Sequence, residues 1–328
     1  MLNTIANTKS SYIFPLWFMR QSGRYLPNYK KIREKYSFMD ILKNPELIVT
    51  LTLLPLDYFK PDFLIIFSDI SIVFSLMEGL QYEIVESKGP VVNFENLNSI
   101  KLKPQSEILE NIGKSIQILK KEQELPIIGF IGGIYTTFSY LIKNSNLDKS
   151  LIYSNEEILM LITEALYITA EYQIKNGADI IQIFDTYLTE LSPLEIEFYI
   201  LPFYKLLLNK LKSNYNVPII FFSLNTFNIL EYINEIKIDC LSVDWRKDLD
   251  IYFNNFKGCI QGNLDPFVLT IEDKQQFQKV LDLSLIRIFK SFENQQNLNK
   301  YIFNTGHGLL PNTKIENIQF LLEKLRKN

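Results

Sequence analysis

The chain has 328 residues, with 34 basic and 37 acidic side chains, two cysteines, one histidine and 47% hydrophobic content. A net charge of −3 argues against nucleic-acid binding, which needs a basic surface to displace counterions. Cys240 and Cys259 are too few for a disulfide scaffold; with a single histidine they offer no protein-only zinc site, so any imidazole chemistry falls to His307.

In chain order, eight short apolar segments read as strands: Leu16–Met19, Phe63–Phe67, Ile127–Phe130, Ile180–Phe184, Ile219–Phe222, Leu241–Val243, Cys259–Ile260 and Tyr301–Phe303. Most are unbroken apolar runs, the pattern of parallel strands covered on both faces. Helical periodicity fills the intervals. Gln105–Lys121 is the first such stretch. Ser154 and Glu157 then form a capping box that opens a helix to Lys175, stopped at Asn176–Gly177. Pro193 starts another to about Lys212, and Asp273–Ser291 and Lys314–Lys327 follow. Leu80–Phe94 alternates Val and Ile and breaks at Gly89–Pro90, which predicts a hairpin inserted after the second strand. Eight alternations predict an α/β fold, a single (β/α)8 TIM barrel domain over residues 1–328. A doubly wound open sheet is the rival, but no GxGxxG follows a strand. No apolar run approaches the ~20 residues of a membrane-spanning helix. Met1–Ser11 lacks the apolar core of a secretion signal, so the expectation is a cytoplasmic protein with no membrane partner.

In a barrel, chemistry collects where strands end at the C-terminal face. Those ends supply Arg20 and Arg24 around Gly23, Asp69, Gly132–Tyr140, Asp185–Thr186, Asp244–Trp245, Gln261–Asp265 and His307. Two guanidinium forks beside a glycine suit several carboxylates, although surface ion pairs would use the same residues. Asp69 follows an apolar run and is placed either as a desolvated carboxylate or as the cap of the next segment. Tyr140 taken alone reads more readily as packing, and Thr186 is ambiguous. Asp185, Asp244 and Asp265 fit structural roles at strand ends. His307 stands between Gly306 and Gly308, small neighbours that expose an imidazole to a ligand.

Pro15-Leu16-Trp17-Phe18-Met19-Arg20-Gln21-Ser22-Gly23-Arg24-Tyr25-Leu26-Pro27 closely resembles the N-terminal signature of the uroporphyrinogen decarboxylase family. Ile66–Ile70, Gly129–Gly132, Gln182–Asp185, Gln261–Pro266 and Asn304–Gly308 resemble later family blocks, in family order, across residues 15 to 311. The resemblance implies a (β/α)8 barrel, usually a homodimer, with a tetrapyrrole substrate and neither metal nor organic cofactor. The implied reaction removes four acetate carboxylates of uroporphyrinogen III as CO2, giving coproporphyrinogen III in haem biosynthesis. By the same resemblance Asp69 is the central aspartate that accepts the pyrrole N–H groups and stabilises the protonated ring. Arg20, with a catalytic share, and Arg24 bind substrate carboxylates, while Gln21, Ser22 and Gly23 line their loop. Tyr140, Thr186 and His307 touch substrate, and Arg33 corresponds to a further family arginine. Departures from the pattern are Ser22, Phe74, Ile134-Tyr135, Lys143 and Leu224–Asn225. Two other functions compete. A corrinoid-linked methyltransferase would need a His/Cys zinc cluster. A catalytically inactive paralogue would bind a tetrapyrrole or a partner without turning it over.

Overall fold

The computed structural model describes residues 10–85, 89–292 and 297–326. Seven strands form one parallel sheet: β1 (Leu64–Ile65), β2 (Ile127–Gly132), β3 (Ile180–Phe184), β4 (Ile219–Phe222), β5 (Cys240–Ser242), β6 (Cys259–Leu264) and β7 (Tyr301–Thr305). Their order in the sheet is their order in the chain, and the sheet is curled. Sequential parallel order requires a crossover between every pair, which the intervening helical segments provide.

The strands are mostly apolar because both faces are covered. Alternate residues, among them Ile128, Ile180, Phe222, Cys240, Cys259 and Ile302, pack inside the curl around Trp17. Their neighbours along each strand pack outward against helices in a second, larger core. Inside the curl the Trp17 indole N–H donates to Gln261 Oε1 at 2.9 Å, and Gln261 Nε2 donates to Ser242 Oγ at 2.9 Å. Polar groups this deep cost free energy unless paired.

The predicted first strand, Leu16–Met19, does not form as a strand. Leu16 makes one parallel bridge to Phe303, and Leu16 O accepts from Asp62 N at 2.8 Å on its other side. Pro15 supplies no N–H, and Arg20 turns left-handed at φ 59°, so the ladder ends almost where it begins.

The longer helices are α1 (Pro45–Leu53), α2 (Glu107–Glu122), α3 (Ile134–Ile142), α4 (Glu156–Lys175), α5 (Leu201–Asn214), α6 (Lys274–Lys290) and α7 (Ile315–Leu325). α2 and α4 to α7 keep their predicted places with adjusted ends, whereas α1 and α3 had no predicted counterpart. The cap of α4 is Asn155, whose side chain accepts from Ile158 N, and not Ser154. An Asx side chain one residue later reaches the N3 amide equally well, and the helix starts there. The segment opened at Pro193 passes through a π turn at Ile196–Ile200 before α5, and its capping box pairs Ser192 with Glu195. Leu80–Val85 pairs antiparallel with Gly89–Phe94 between β1 and β2; the residues joining them lie outside those described. Among the described residues no helix is long and apolar enough to cross a membrane.

Candidate active site

The C-terminal ends of β1 to β4 and the connections at residues 19–22 and 307–308 enclose a cavity of about 200 Å³. Six of the predicted residues line it with their own atoms: Arg20, Ser22, Asp69, Tyr140, Thr186 and His307. The Ser22 hydroxyl is buried and unpaired among the described residues, as is that of Ser68.

Each arrives by a local feature of the chain. Asp69 leaves the end of β1 and caps the 3-10 turn Ile70–Leu76, its Oδ1 accepting from Ser71 N at 2.8 Å and Ser71 Oγ at 2.6 Å. The capping alternative is therefore real, and it engages one oxygen only. Among the described residues nothing donates to Oδ2, and the carboxylate faces the cavity. Arg20 comes from the left-handed turn after Met19, which is held by Met19 N to Asn304 Oδ1 and by Leu309 N to Met19 O. Tyr140 rises from α3 and meets Tyr187 edge-on, with ring centroids 5.9 Å apart. Burial, then Tyr187, raises its phenol well above the ordinary range, so it stays a hydrogen-bond donor at any physiological pH.

The floor is a row of aromatic rings that sequence reasoning did not single out. Phe130 meets Phe184 at 5.6 Å, Phe184 meets Phe222 at 5.9 Å, and Phe222 meets the His307 imidazole at 5.8 Å, all steeply inclined. These rings end consecutive strands on the inner face. The only available signal was an aromatic near the end of β2, β3 and β4, and it points inward only once register is known.

The glycines around His307 have a different purpose from the one expected. A Cβ on Gly306 would lie 2.8 Å from Trp245 N, and one on Gly308 would lie 2.5 Å from Arg20 Cδ. They admit the neighbouring backbone and the Arg20 side chain rather than unveil the imidazole. Burial, then the nearby Arg20 guanidinium, lowers the His307 pKa to about 4, so the ring is neutral at pH 7. The unfolded chain binds this proton near pH 6.5 and the folded chain only near 4, so stability falls as pH drops through that window. His307→Asn is expected to flatten the loss between pH 6.5 and 4 in chemical denaturation; an unchanged slope would mean that the ring is not held neutral. The same variant is expected to keep about a tenth of wild-type turnover, as for loss of one neutral hydrogen-bonding group.

Other predicted residues lie elsewhere. Gln21 is fully buried, accepting from Phe18 N at 3.2 Å and donating to Phe63 O at 3.1 Å; its side chain braces the loop and does not face the cavity. Gly23 and Arg24 are not in the lining, and Arg24 is exposed. Arg33 lies outside it too, donating to Tyr36 O. Lys143 is exposed with its ammonium 5.9 Å from the Tyr140 ring centre, while Phe74, Ile134 and Tyr135 are core residues. Asp244 is buried against Asn225 N and the Arg246 guanidinium, Asp185 caps α3, and Asp265 caps the turn Pro266–Thr270.

A model of the uroporphyrinogen decarboxylase (URO-D) family matches residues 1–328. The chain belongs to that family. A uroporphyrinogen decarboxylase of Thermodesulfovibrio yellowstonii is 35% identical over 327 residues, covering 94% of this chain and 92% of its own. Those of Prochlorococcus marinus (strain MIT 9515) and Aquifex aeolicus are each 33% identical, covering 95% of this chain and 93% of theirs. Among solved structures, a methyltransferase from Methanosarcina mazei superposes with a TM-score of 0.73 at 16% identity, covering 98% of this chain and 96% of its own. That likeness shows the fold alone. Among the described residues no group of three His, Cys, Asp or Glu side chains could hold a metal ion, and both cysteines are buried in paired strands inside the curl.

Proposed function

We propose that this family member is a uroporphyrinogen decarboxylase that converts uroporphyrinogen III to coproporphyrinogen III. The observation that carries the reading is Asp69: one carboxylate, with a free oxygen, set in a cleft with an aromatic floor and a guanidinium at its rim. The substrate has the matching distribution, four pyrrole N–H donors at the centre of an apolar macrocycle and eight carboxylates around it.

In each cycle a proton adds to a ring carbon of the pyrrole that bears the acetate, and the ring becomes a cation. The bond from the acetate CH2 to its carboxylate then breaks, the electron pair moves into the cationic ring, and CO2 leaves. A second proton converts the exocyclic methylene to methyl, and loss of the ring proton restores the pyrrole. The net change is R–CH2–COO⁻ + H⁺ → R–CH3 + CO2. Asp69 carries its negative charge where the ring cation develops, and the phenylalanine floor strengthens that attraction by excluding water. Arg20 holds a carboxylate of the reacting or a neighbouring ring. Arg24 and the Gly23 backbone serve the periphery, where more carboxylates must be held than the lining accommodates. Tyr140, Thr186, Ser22 and neutral His307 supply uncharged hydrogen bonds, and Gln21 contributes by bracing the loop.

The finer architecture fits the same reading: one domain over residues 1–328, with Pro15–Met19 taking the eighth place in a closed (β/α)8 barrel and the pair Leu80–Phe94 as an insertion. Homodimerisation is supported by exposed Leu194, Phe198 and Phe227 on the connections after β3 and β4, at the cleft end of the sheet. A cytoplasmic location suits the substrate's synthesis. Anaerobic incubation with uroporphyrinogen III, followed by oxidation and porphyrin chromatography, is expected to show seven- down to four-carboxylate products. Recovery of the eight-carboxylate species alone from folded protein sinks the reading, and light scattering at one chain mass, 38.5 kDa, sinks the dimer.

A further inference from the structure

The N-terminus of α3 is not capped by its own chain. Gly133, at the capping position, has no side chain to offer. The donors of the first turn go instead to Asp185, the residue after β3. Its Oδ1 accepts from Thr136 N at 2.7 Å and Thr136 Oγ1 at 2.6 Å, and its Oδ2 from Tyr135 N at 3.3 Å and Tyr204 O–H at 2.5 Å. The remaining amide, Ile134 N, donates to the same Tyr204 oxygen at 3.0 Å. Asp185 is fully buried, and a Cβ on Gly133 would come within 2.1 Å of the Asp185 Cβ, so the two backbones have approached as closely as atoms allow.

A side-chain cap is ordinarily a Ser, Thr, Asp or Asn at the start of the helix's own segment. Here the cap is borrowed from another strand, and the loan fixes two cleft residues at once. Thr186 follows Asp185 directly. Thr136 Oγ1, besides donating to Asp185, accepts from Tyr187 N at 3.1 Å, so the connection 185–187 is bound to the helix at both ends. Thr136 and Tyr140 are four residues apart and share a helix face. That face is closed by Tyr187, whose ring meets Tyr140 edge-on at 5.9 Å.

We propose that Asp185, acting through Thr136, is a positioning residue that sets the Tyr140 hydroxyl against the substrate. This rests on the reading of the cleft as a decarboxylase site. A carboxylate at a helix N-terminus is held by hydrogen bonds and by the helix dipole together, and in a water-free setting neither relaxes easily. The arrangement therefore restrains Tyr140, and a misplacement of about 1 Å is enough to cost substrate positioning heavily.

The test is a mutant cycle on kcat/KM for uroporphyrinogen III, with circular dichroism confirming that each variant folds. Thr136→Val keeps the shape but removes the hydroxyl that joins Asp185 to Tyr187, and is expected to lower kcat/KM about 10-fold by displacing Tyr140. Thr136→Ser, which keeps the hydroxyl, is expected to stay within about 3-fold of wild type. In a Tyr140→Phe background, where no hydroxyl remains to be placed, Thr136→Val is expected to cost under about 3-fold. A merely structural role would give the same fold-loss in both backgrounds, and that result overturns the proposal, as does a Ser variant as impaired as the Val variant. Wild-type protein that does not decarboxylate at all defeats the functional reading instead.

Discussion

Asp69→Asn is expected to lower kcat for uroporphyrinogen decarboxylation by about 100- to 1000-fold, the usual cost of removing one preorganised group from a developing charge. The amide is nearly isosteric, but it has no negative charge to set against the protonated pyrrole. One of its two acceptor oxygens also becomes an N–H2 that confronts the pyrrole donors. The asparagine variant is the informative one because Asp69 also caps the turn Ile70–Leu76 through Ser71. Asparagine caps as well as aspartate, so the variant should unfold within about 0.5 kcal/mol of wild type. Asp69→Ala should lose the same activity and about 1 kcal/mol of stability besides. Single-turnover kinetics with paired denaturation curves measure both. An asparagine variant that keeps more than about a tenth of wild-type kcat would take Asp69 out of the charge-stabilising role.

Arg20→Gly is expected to move activity and stability in opposite directions. Arg20 holds a left-handed backbone, φ 59°, that L-residues adopt at a cost of roughly 1 kcal/mol, while its own side chain is exposed. Glycine relieves the strain, so thermal stability should be unchanged or higher by up to about 1 kcal/mol. The guanidinium's charge-assisted bonds to a substrate carboxylate are lost, and kcat/KM should fall about 10- to 100-fold. Arg20→Lys keeps charge and strain but not the bidentate fork, and should fall between the two. A glycine variant of wild-type kcat/KM would place substrate carboxylates elsewhere. The expense of a strained arginine at this position fits a functional site, where strain persists because the surrounding bonds of residues 19, 304 and 309 over-determine it.

The two lines of reading that sequence supported best were local. Apolar runs bounded by turn residues located all seven strands of the sheet, because a strand covered on both faces carries few polar positions to mislead the eye. They failed at Leu16–Met19, where composition is strand-like but Pro15 and the turn at Arg20 stop the ladder. The five predicted helix periods held in place, with a shifted cap where Ser154 and Asn155 compete and a π turn interrupting the one from Pro193, while α1 and α3 went unread. Sequence blocks also identified Asp69, Arg20, Tyr140, Thr186 and His307, which come together from five separate parts of the chain.

Composition and motif by themselves determined the fold class, the family and the chemical character of the cleft, since each depends on which residues are present and in what order. Only the tertiary structure decided which way they face. Gln21 and Ser22 are neighbours in one motif, yet Gln21 is spent on Phe18 and Phe63 while Ser22 lines the cavity. Phe130, Phe184 and Phe222 look like ordinary core residues until parallel register sets them in one row beneath His307. Asp185 reads as a structural carboxylate and proves to tie two cleft elements together, because its partners Thr136 and Tyr204 lie 49 and 19 residues away in the chain. Side-chain direction alternates along a strand, so a shift of one residue in register reverses inside and outside, and register is fixed by contacts between segments far apart in sequence.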